Sequence, residues 1–313
     1  MSEIRVGTSG WSYPSGRGTW NGIFYPVAPG ASRRKGGFDE LAFYAEHFET
    51  VEVNSSFYGI PSPRTVQSWI ERTRPGFEFS LKLYQKFTHP DMFVEATGED
   101  PADLGATDVD EFRRALDPLV TAGRLGALLA QFPPSFKNDS HARGYLEWLL
   151  GSFRQYPVAV ELRDRSWSDD PSGTLALLGS FDAAWAQIDE PKFKFSIRQN
   201  LAANARTFYY MRLHGRNAAQ WWRHEKSEDR YDYFYSDREL APFADAAAAA
   251  AREVKKAYLY TNNHFSAKSV ANAAMIKQHL GQPLDGAYPE PFVERYPELR
   301  GLVSVLPPSP SRA

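Results

Sequence analysis

The strongest constraint on the fold comes from residues 50–58, where a short apolar strand carries a carboxylate and a carboxamide on one face. Side chains alternate across a β-strand, so Val51 and Val53 point one way while Glu52 and Asn54 point the other. Burying an unpaired carboxylate is strongly unfavourable, and a buried strand of this kind therefore needs partners for its polar face. The pattern predicts a fold in which several strands turn polar side chains toward a shared interior.

The same short-strand pattern recurs along the chain, and segments with helical periodicity separate most of the recurrences. The predicted strands lie near residues 4, 51, 78, 126, 158, 184, 209 and 257. Side chains that share a predicted inner face are Glu78, Ser80 and Lys82; Glu161 and Arg163; Trp185, Gln187 and Asp189; and Tyr210, Arg212 and His214. Eight strands separated by helices, without a hairpin signal between them, favour a parallel sheet that closes on itself.

We therefore predict an α/β fold, a (β/α)8 TIM barrel with parallel strands and a single domain over residues 1–305. A doubly wound open sheet is the alternative, but it would need functional side chains at only one crevice. The Pro-rich residues 306–313 are expected to be a disordered tail, and the whole stretch after Gly281 is expected to be irregular. A barrel collects its functional side chains at the carboxyl ends of its strands, where the polar residues cluster in this sequence.

Capping signals predict where several helices begin. Asp108 is expected to open one helix, and Ser236 with Glu239 forms a capping box for another. A last helix is predicted over residues 266–280, whereas the stretch around His89 reads as a long loop. Because that loop follows a strand, it belongs to the end of the barrel where a site is expected.

Composition excludes several classes of protein. The 313 residues carry a formal net charge of -2, which argues against a surface that is basic overall and built for nucleic acid. Cysteine is absent, which excludes disulfides, thiolate metal ligands and a cysteine nucleophile. The start lacks a signal-peptide pattern and no long apolar run occurs, so we expect a cytoplasmic protein that does not enter a membrane. Phosphate-loop, dinucleotide-binding, nucleophile-elbow and metalloprotease motifs are also absent.

The candidate site residues are the polar and aromatic side chains at the predicted carboxyl ends of the strands and in the loops that follow. The candidate catalytic groups are Glu52, Glu161, Asp189 and His214. The candidate substrate-binding residues are Asn54, Lys82, His89, Gln131, Arg163, Arg212, Arg216, Asn263, His264, Trp11, Tyr58 and Trp167. The alternative interpretation is structural: the carboxylates neutralise the cations, the amides satisfy strand ends, and the tryptophans pack loops.

Lysine and arginine side chains set against carboxylates fit an anionic substrate. The predicted function is an enzyme that acts on a phosphate-bearing or sugar-phosphate substrate by carboxylate and histidine acid–base chemistry, with metal-assisted phosphoester hydrolysis as one form. A sugar isomerase or epimerase is an alternative, as is a non-catalytic barrel that binds a metabolite or nucleic-acid phosphate. A divalent metal ion is a candidate cofactor, although only His214 and His264 supply imidazoles at strand ends.

A series of sequence blocks, in order along nearly the whole chain, resembles the YecE-like family, known as domain of unknown function 72. The blocks are GTSGWSY, VEVNSSFYGIPS, LKLYQKFTH, QFPPSF, VAVELRDRSW, RLHGRN and YTNNHFSAKSVANA. The resemblance implies a (β/α)8 barrel similar to those of sugar isomerases and endonuclease IV, and it implies no settled activity. The chain departs from the family pattern mainly in residues 193–207.

Overall fold

The computed structural model describes residues 2–28, 37–223 and 225–306. The strands are β1 (Glu3–Ser9), β2 (Thr50–Val53), β3 (Glu78–Lys82), β4 (Leu125–Gln131), β5 (Val158–Glu161), β6 (Ala184–Trp185), β7 (Gln187–Asp189), β8 (Phe208–Leu213), β9 (Lys256–Thr261), β10 (Ala287–Tyr288) and β11 (Ser304–Val305). The α-helices are α1 (Glu40–His47), α2 (Pro63–Glu71), α3 (Gln85–Thr88), α4 (Pro90–Thr97), α5 (Ala106–Thr121), α6 (Ser140–Ser152), α7 (Ser166–Asp169), α8 (Pro171–Gly179), α9 (Ala218–Trp221), α10 (Asp237–Ala250), α11 (Lys268–His279) and α12 (Glu290–Arg295).

The main sheet is parallel throughout and curls into a barrel. Its strand order is β6-β5-β4-β3-β2-β1-β9-β8-β7. Only Ala186 separates β6 from β7, so one extended segment pairs with β5 through its first half and with β8 through its second. That shared segment joins the two ends of the sheet. The predicted (β/α)8 barrel is confirmed, with the predicted strand near residue 184 divided in two.

Polar side chains from different strands meet in layers inside the barrel. Near the amino ends of the strands, Glu78 accepts from the Tyr258 hydroxyl at 2.6 Å and also pairs with Lys256. In the middle, the Tyr260 hydroxyl lies 2.9 Å from the Ser80 hydroxyl and also contacts Thr50. The layer at the carboxyl ends contains the candidate site. Because these polar groups find partners on other strands, the barrel tolerates a polar interior.

The predicted inner face of the 184–189 segment is wrong. Ala184 and Ala186 lie in the barrel interior, in the same buried cluster as Tyr210. Register agrees, because Asp189 pairs with Leu213 on the outward side of β8. The polar side chains of this segment face a loop that covers it from outside the barrel. Gln187, for example, accepts from the backbone nitrogen of Leu201 in that loop. Period-2 alternation shows that a strand has two faces, and it does not say which one is covered by a loop.

Several local predictions need correction. Asp108 lies in the first turn of α5, where it accepts from the backbone nitrogen of the capping Gly105 at 2.9 Å, instead of capping the helix itself. His89 lies between α3 and α4, so the predicted long loop is partly helical. The capping box at Ser236 and Glu239 is confirmed. The helix predicted over 266–280 is α11, which begins at Lys268.

The stretch after Gly281 is also more regular than predicted. Strands β10 and β11 pair in parallel, and α12 lies between them. Phe292 of α12 is buried against Phe24, so this segment covers an apolar surface beside α1. That packing explains why the segment has a regular structure. Leu306 is the last residue described, so the disorder expected for the rest of the 306–313 tail lies outside the described residues. Within the described ranges, no helix is both long and apolar enough to cross a bilayer.

Candidate functional site

Glu52 follows the outward-facing Val51 on β2 and is fully buried inside the barrel. Both of its carboxylate oxygens accept from Arg212: Nη2 donates to Oε1 at 2.6 Å, and Nε donates to Oε2 at 2.9 Å. The Ser9 hydroxyl donates to Oε1 at 2.8 Å, and the Tyr210 hydroxyl donates to Oε2 at 2.7 Å. Four donors therefore offset the burial of Glu52, and its predicted inward orientation is correct.

Arg212 extends the network from Glu52 to Glu161 at the end of β5. Its Nη1 donates to Glu161 Oε2 at 2.5 Å and to Gln131 Oε1 at 3.1 Å. Arg163 Nε donates to the other oxygen of Glu161 at 2.7 Å. Burial alone would raise the pKa of Glu161, but the charges of Arg212 and Arg163 hold that pKa well below its ordinary value. Glu161 is therefore a carboxylate in the folded protein.

His214, just beyond β8, is fully buried and lies against the same carboxylate. Its Nε2 is 3.3 Å from Glu161 Oε1, and its Nδ1 is 2.9 Å from the amide nitrogen of Asn262. An amide nitrogen is a donor, so Nδ1 accepts and the ring proton lies on Nε2, facing Glu161. Burial lowers the pKa of His214 to about 3. The imidazole is therefore neutral and orients Glu161.

Lys82, the last residue of β3, carries a cation that the network does not neutralise. Its Nζ lies 3.8 Å from the centroid of the Phe57 ring. In the part of the chain that the structure describes, Nζ has no carboxylate within ion-pair distance and no hydrogen-bond acceptor. Burial, and after it the positive charge of Arg212, lowers the pKa of Lys82 to about 7. This amine is therefore unlike an ordinary surface lysine.

Two further titratable groups lie nearby: Glu190 borders Arg163, and His89 is close enough to Lys82 to be affected by its charge. Glu190, directly after β7, is buried, and its Oε2 has no hydrogen-bond partner among the described residues; Arg163 Nη1 is 3.7 Å away. Burial raises the pKa of Glu190. The His89 ring meets the Phe57 ring edge-on at 5.0 Å, and burial followed by the charge of Lys82 lowers the pKa of His89 to about 3. The mouth thus combines a carboxyl that resists ionisation with a neutral imidazole.

Aromatic rings border the mouth on the side of β1 and β9. The His264 ring stacks on Tyr13, with centroids 4.3 Å apart, and also contacts Tyr231 at 4.8 Å. The buried Nδ1 of His264 has no hydrogen-bond partner among the described residues. The Tyr13 hydroxyl donates to the Ser9 carbonyl at 2.5 Å. Asn54 directly follows β2, and Tyr58, a little further along, is 70% exposed. These side chains form a border whose inner atoms remain available to a ligand.

Asp189 and Arg216 form a second cluster outside the barrel. Arg216 donates to both oxygens of Asp189, at 2.8 and 3.0 Å, and to Glu239 of α10 at 3.2 Å. The Tyr235 hydroxyl donates to Asp189 Oδ2 at 2.7 Å. This cluster lines a surface cavity of about 870 Å³. The structure therefore separates two predicted site residues from the mouth, because the 184–189 segment turns its polar side chains outward.

Three other predicted binding residues have packing contacts. Asn263 donates to the Tyr233 carbonyl and to Asn272 on the outer side of β9. Trp167 is fully buried and donates to the Phe136 carbonyl at 2.9 Å. Trp11, which is partly exposed, packs edge-on against a tryptophan of α2. The alternative structural interpretation describes Asn263 and Trp167 better than ligand binding does.

Sequence reasoning missed five residues that the structure brings to the mouth or its network. They are Ser9, Tyr13, Glu190, Tyr210 as a partner of Glu52, and Asn262. For Asn262 a signal existed: Tyr258 and Tyr260 are inward, so alternation places Asn262, and not Asn263, on the inner face. Glu190 had no such signal, because it lies in a loop after an irregular strand.

The donor set at the mouth does not favour a metal ion. Among residues 2–28, 37–223 and 225–306, no group of three or more histidine and carboxylate side chains is arranged to hold one. The carboxylates of Glu52 and Glu161 pair with arginine side chains, which lie where a metal ion would have to bind these carboxylates.

The chain is similar to several known proteins in sequence and in structure. "UPF0759 protein YunF" of Bacillus subtilis is 28% identical over 293 residues, which is 91% of this chain and 98% of YunF. "UPF0759 protein YecE" of Escherichia coli K12 is 34% identical over 100 residues, which is 32% of this chain and 33% of YecE. A crystal structure of a DUF72 family protein from Thermotoga maritima superposes with a TM-score of 0.74 at 32% identity, covering 90% of this chain and 100% of that one.

A second crystal structure, of a DUF72 family protein from Enterococcus faecalis, also has a TM-score of 0.74, at 23% identity and over 90% of this chain and 97% of that one. At that identity the likeness concerns the fold. The family model described as "Protein of unknown function DUF72" matches residues 5–294. The resemblance seen in the sequence blocks is therefore confirmed, and the chain belongs to the DUF72 family.

Proposed function

We propose that the barrel mouth binds a small phosphate-bearing organic molecule, such as a sugar phosphate, and acts on it by acid–base chemistry. One observation carries the proposal: two cations at the mouth keep donors that no neighbour uses. Lys82 Nζ lacks an anionic partner in the described structure. Arg163 uses Nε on Glu161, while its Nη1 is 3.7 Å from Glu190, which is longer than a hydrogen bond. Phosphate oxygens would satisfy both.

The buried network of hydrogen bonds and ion pairs around Glu161 holds the phosphate-binding groups in position. Glu161 fixes Arg163, Arg212 fixes Glu161, and His214 holds Glu161 from a third direction. Catalytic and binding groups work best when their own orientation is held by such contacts. We therefore assign Glu52, Glu161 and His214 to positioning the cations, a narrower role than the acid–base role that the sequence predicts.

Acid–base groups stand next to the proposed phosphate position. Burial raises the pKa of Glu190, so its carboxyl holds a proton more readily than an ordinary glutamate does, whereas Lys82, with a pKa of about 7, can accept a proton near neutral pH. This pair suits proton transfers on a sugar phosphate, as an isomerase or epimerase requires. It gives no specific support to metal-assisted phosphoester hydrolysis, because the carboxylates that a metal would need are paired with arginines.

Thermal unfolding with and without inorganic phosphate tests the anion site. Phosphate is expected to raise the melting temperature, because a ligand that binds only the folded state stabilises it, by about 2.7 kcal/mol at a hundred times its Kd. Arg163→Gln should remove most of that protection. Arg216→Gln is the matched control, since Arg216 lies in the outer cluster. Equal protection of all three proteins would overturn the proposal.

Turnover distinguishes an enzyme from a non-catalytic binder. A panel of sugar phosphates followed by proton NMR in deuterated water should show exchange or isomerisation with the parent protein, and the loss of that change in Lys82→Met. Binding without any chemical change across the panel would favour the binder.

A further inference from the structure

We infer that the Lys82 amine forms an imine with a carbonyl group of its ligand, so that the substrate class is a phosphate-bearing aldehyde or ketone. The inference rests on the proposed function and narrows it from anionic molecules in general to carbonyl compounds. In this form of the proposal Arg163 holds the phosphate, and the Lys82 amine reacts with the carbonyl group in place of acting as a base.

The position of the amine is the first support. Lys82 ends β3 on the inner face of the barrel, at the carboxyl ends of the strands, and its side chain is partly exposed. Ser56 donates to the Lys82 carbonyl at 2.7 Å, which ties the end of β3 to the turn after β2. The amine is thus held on a rigid element and remains accessible from the mouth.

The lack of a partner is the second support. The other inward cations of this layer, Arg163 and Arg212, are both bonded to carboxylates. Four residues later in the chain, Lys86 Nζ lies 2.7 Å from Asp108. Lys82 has instead the face of the Phe57 ring, at 3.8 Å. A structural lysine in a polar interior is normally paired with an acidic group, whereas Lys82 has no such partner among the residues that the structure describes.

The electrostatic surroundings favour the neutral amine. The groups that act on Lys82 are Arg212 from β8 and Arg163 from the loop after β5, which lower its pKa, and Glu161 and Glu52, which raise it. Burial is the largest effect, and the resulting pKa is about 7. Compared with an ordinary lysine, the fraction of reactive neutral amine at neutral pH is higher on the order of a thousandfold. A lysine made nucleophilic by an apolar wall and neighbouring cations is the form used for imine chemistry.

The proposed step balances without an external oxidant or reductant. The Nζ lone pair attacks the carbonyl carbon, the C=O pair moves to oxygen, and proton transfer from nitrogen to oxygen gives a carbinolamine. A proton from solvent or from an acid such as Glu190 then converts the hydroxyl to water, which leaves as the nitrogen lone pair forms C=N. The net change consumes one proton and releases one water. The cationic imine can withdraw electrons from the adjacent carbon, which suits proton abstraction there.

Pyridoxal 5'-phosphate is a suitable probe, because it carries both an aldehyde and a phosphate and because its imine absorbs visible light. The parent protein is mixed with an equimolar amount at neutral pH, reduced with borohydride and mapped by peptide mass spectrometry. The reduced adduct is expected predominantly on Lys82. Lys82→Met should lose the visible band and the adduct, and Lys86→Arg is the matched control that should keep both. Melting temperatures of the variants show whether each one is folded.

Two comparisons separate this inference from the proposed anion site. Pyridoxal without phosphate should still label Lys82 but at a lower level, and Lys82→Arg should keep phosphate protection while forming no imine. Phosphate protection in the parent with label spread evenly over its lysines would overturn the imine and leave the anion site standing. Selective labelling by both probes to the same extent, without phosphate protection, would support the imine and overturn the anion site.

Discussion

Arg212 donates to both carboxylate oxygens of Glu52, from Nε at 2.9 Å and from Nη2 at 2.6 Å, and its third nitrogen, Nη1, donates to Glu161 at 2.5 Å. One guanidinium of β8 thereby links β2 and β5, which lie on different sides of the barrel. The two carboxylates that the sequence presents as candidate catalysts are thus neutralised in part by a single cation. The network orders the carboxyl end of the barrel, and within the described part of the chain it provides no carboxylate partner for Lys82.

Glu52→Gln is expected to weaken the fold. Both carboxylate oxygens accept from Arg212, so either orientation of the new amide places an N–H group against an N–H group of Arg212. Breaking a buried ion pair in this way costs about 3–5 kcal/mol. Urea unfolding measures the loss, and Glu46→Gln, an exposed change on α1, is the control. An unchanged or higher stability would instead support a reactive role for Glu52.

Stability is expected to fall as the pH drops from 7 to 5, and His214 should account for part of the slope. Its pKa in the folded protein is about 3, below the ordinary 6.5, so the unfolded chain takes up a proton that the folded protein does not. The free energy of unfolding then decreases by up to about 1.4 kcal/mol per pH unit for such a group. His89 and His264 act in the same direction.

Urea unfolding at pH 7, 6 and 5 tests this, a range chosen above the ordinary pKa of Glu161. His214→Gln should reduce the dependence of the free energy of unfolding on pH by up to about 1.4 kcal/mol per pH unit, which corresponds to one proton. The exposed, non-titrating change Gln67→Ala should leave that dependence as it is in the parent protein. If His214→Gln and the parent have the same pH dependence, His214 is not held neutral by burial.

Gly7→Ala is expected to be strongly destabilising. Gly7 lies on β1, and a Cβ atom there would overlap the backbone carbonyl of Thr50 on the neighbouring strand, which cannot move aside without breaking the sheet. Overpacking of this kind costs about 3 kcal/mol. Gly59→Ala is the matched control, because its Cβ would meet no atom within 4 Å. Similar melting temperatures for the two variants would show that β1 and β2 are less tightly packed at this point than the structure indicates.

Much of the interior could be predicted from the sequence alone. The alternation of side chains along a strand is a local property, so the sequence alone places Glu52 with Asn54 on one face of β2, and Arg212 with His214 on one face of β8. The number of strands and their separation by helices gave the barrel by the same kind of local reasoning. The same rule, applied to Tyr258 and Tyr260, would have selected Asn262 as well.

Tertiary structure decided the rest. The segment from Ala184 to Asp189 has two alternating faces, and only the loop that covers it determines that Asp189 points outward and meets Arg216. Which cation lacks a carboxylate partner among the described residues was likewise decided by distances between strands far apart in sequence: Glu52 and Glu161 both pair with Arg212, and neither pairs with Lys82. Alternation along a strand is set by backbone geometry, whereas pairing across the barrel depends on where the folded chain places each side chain.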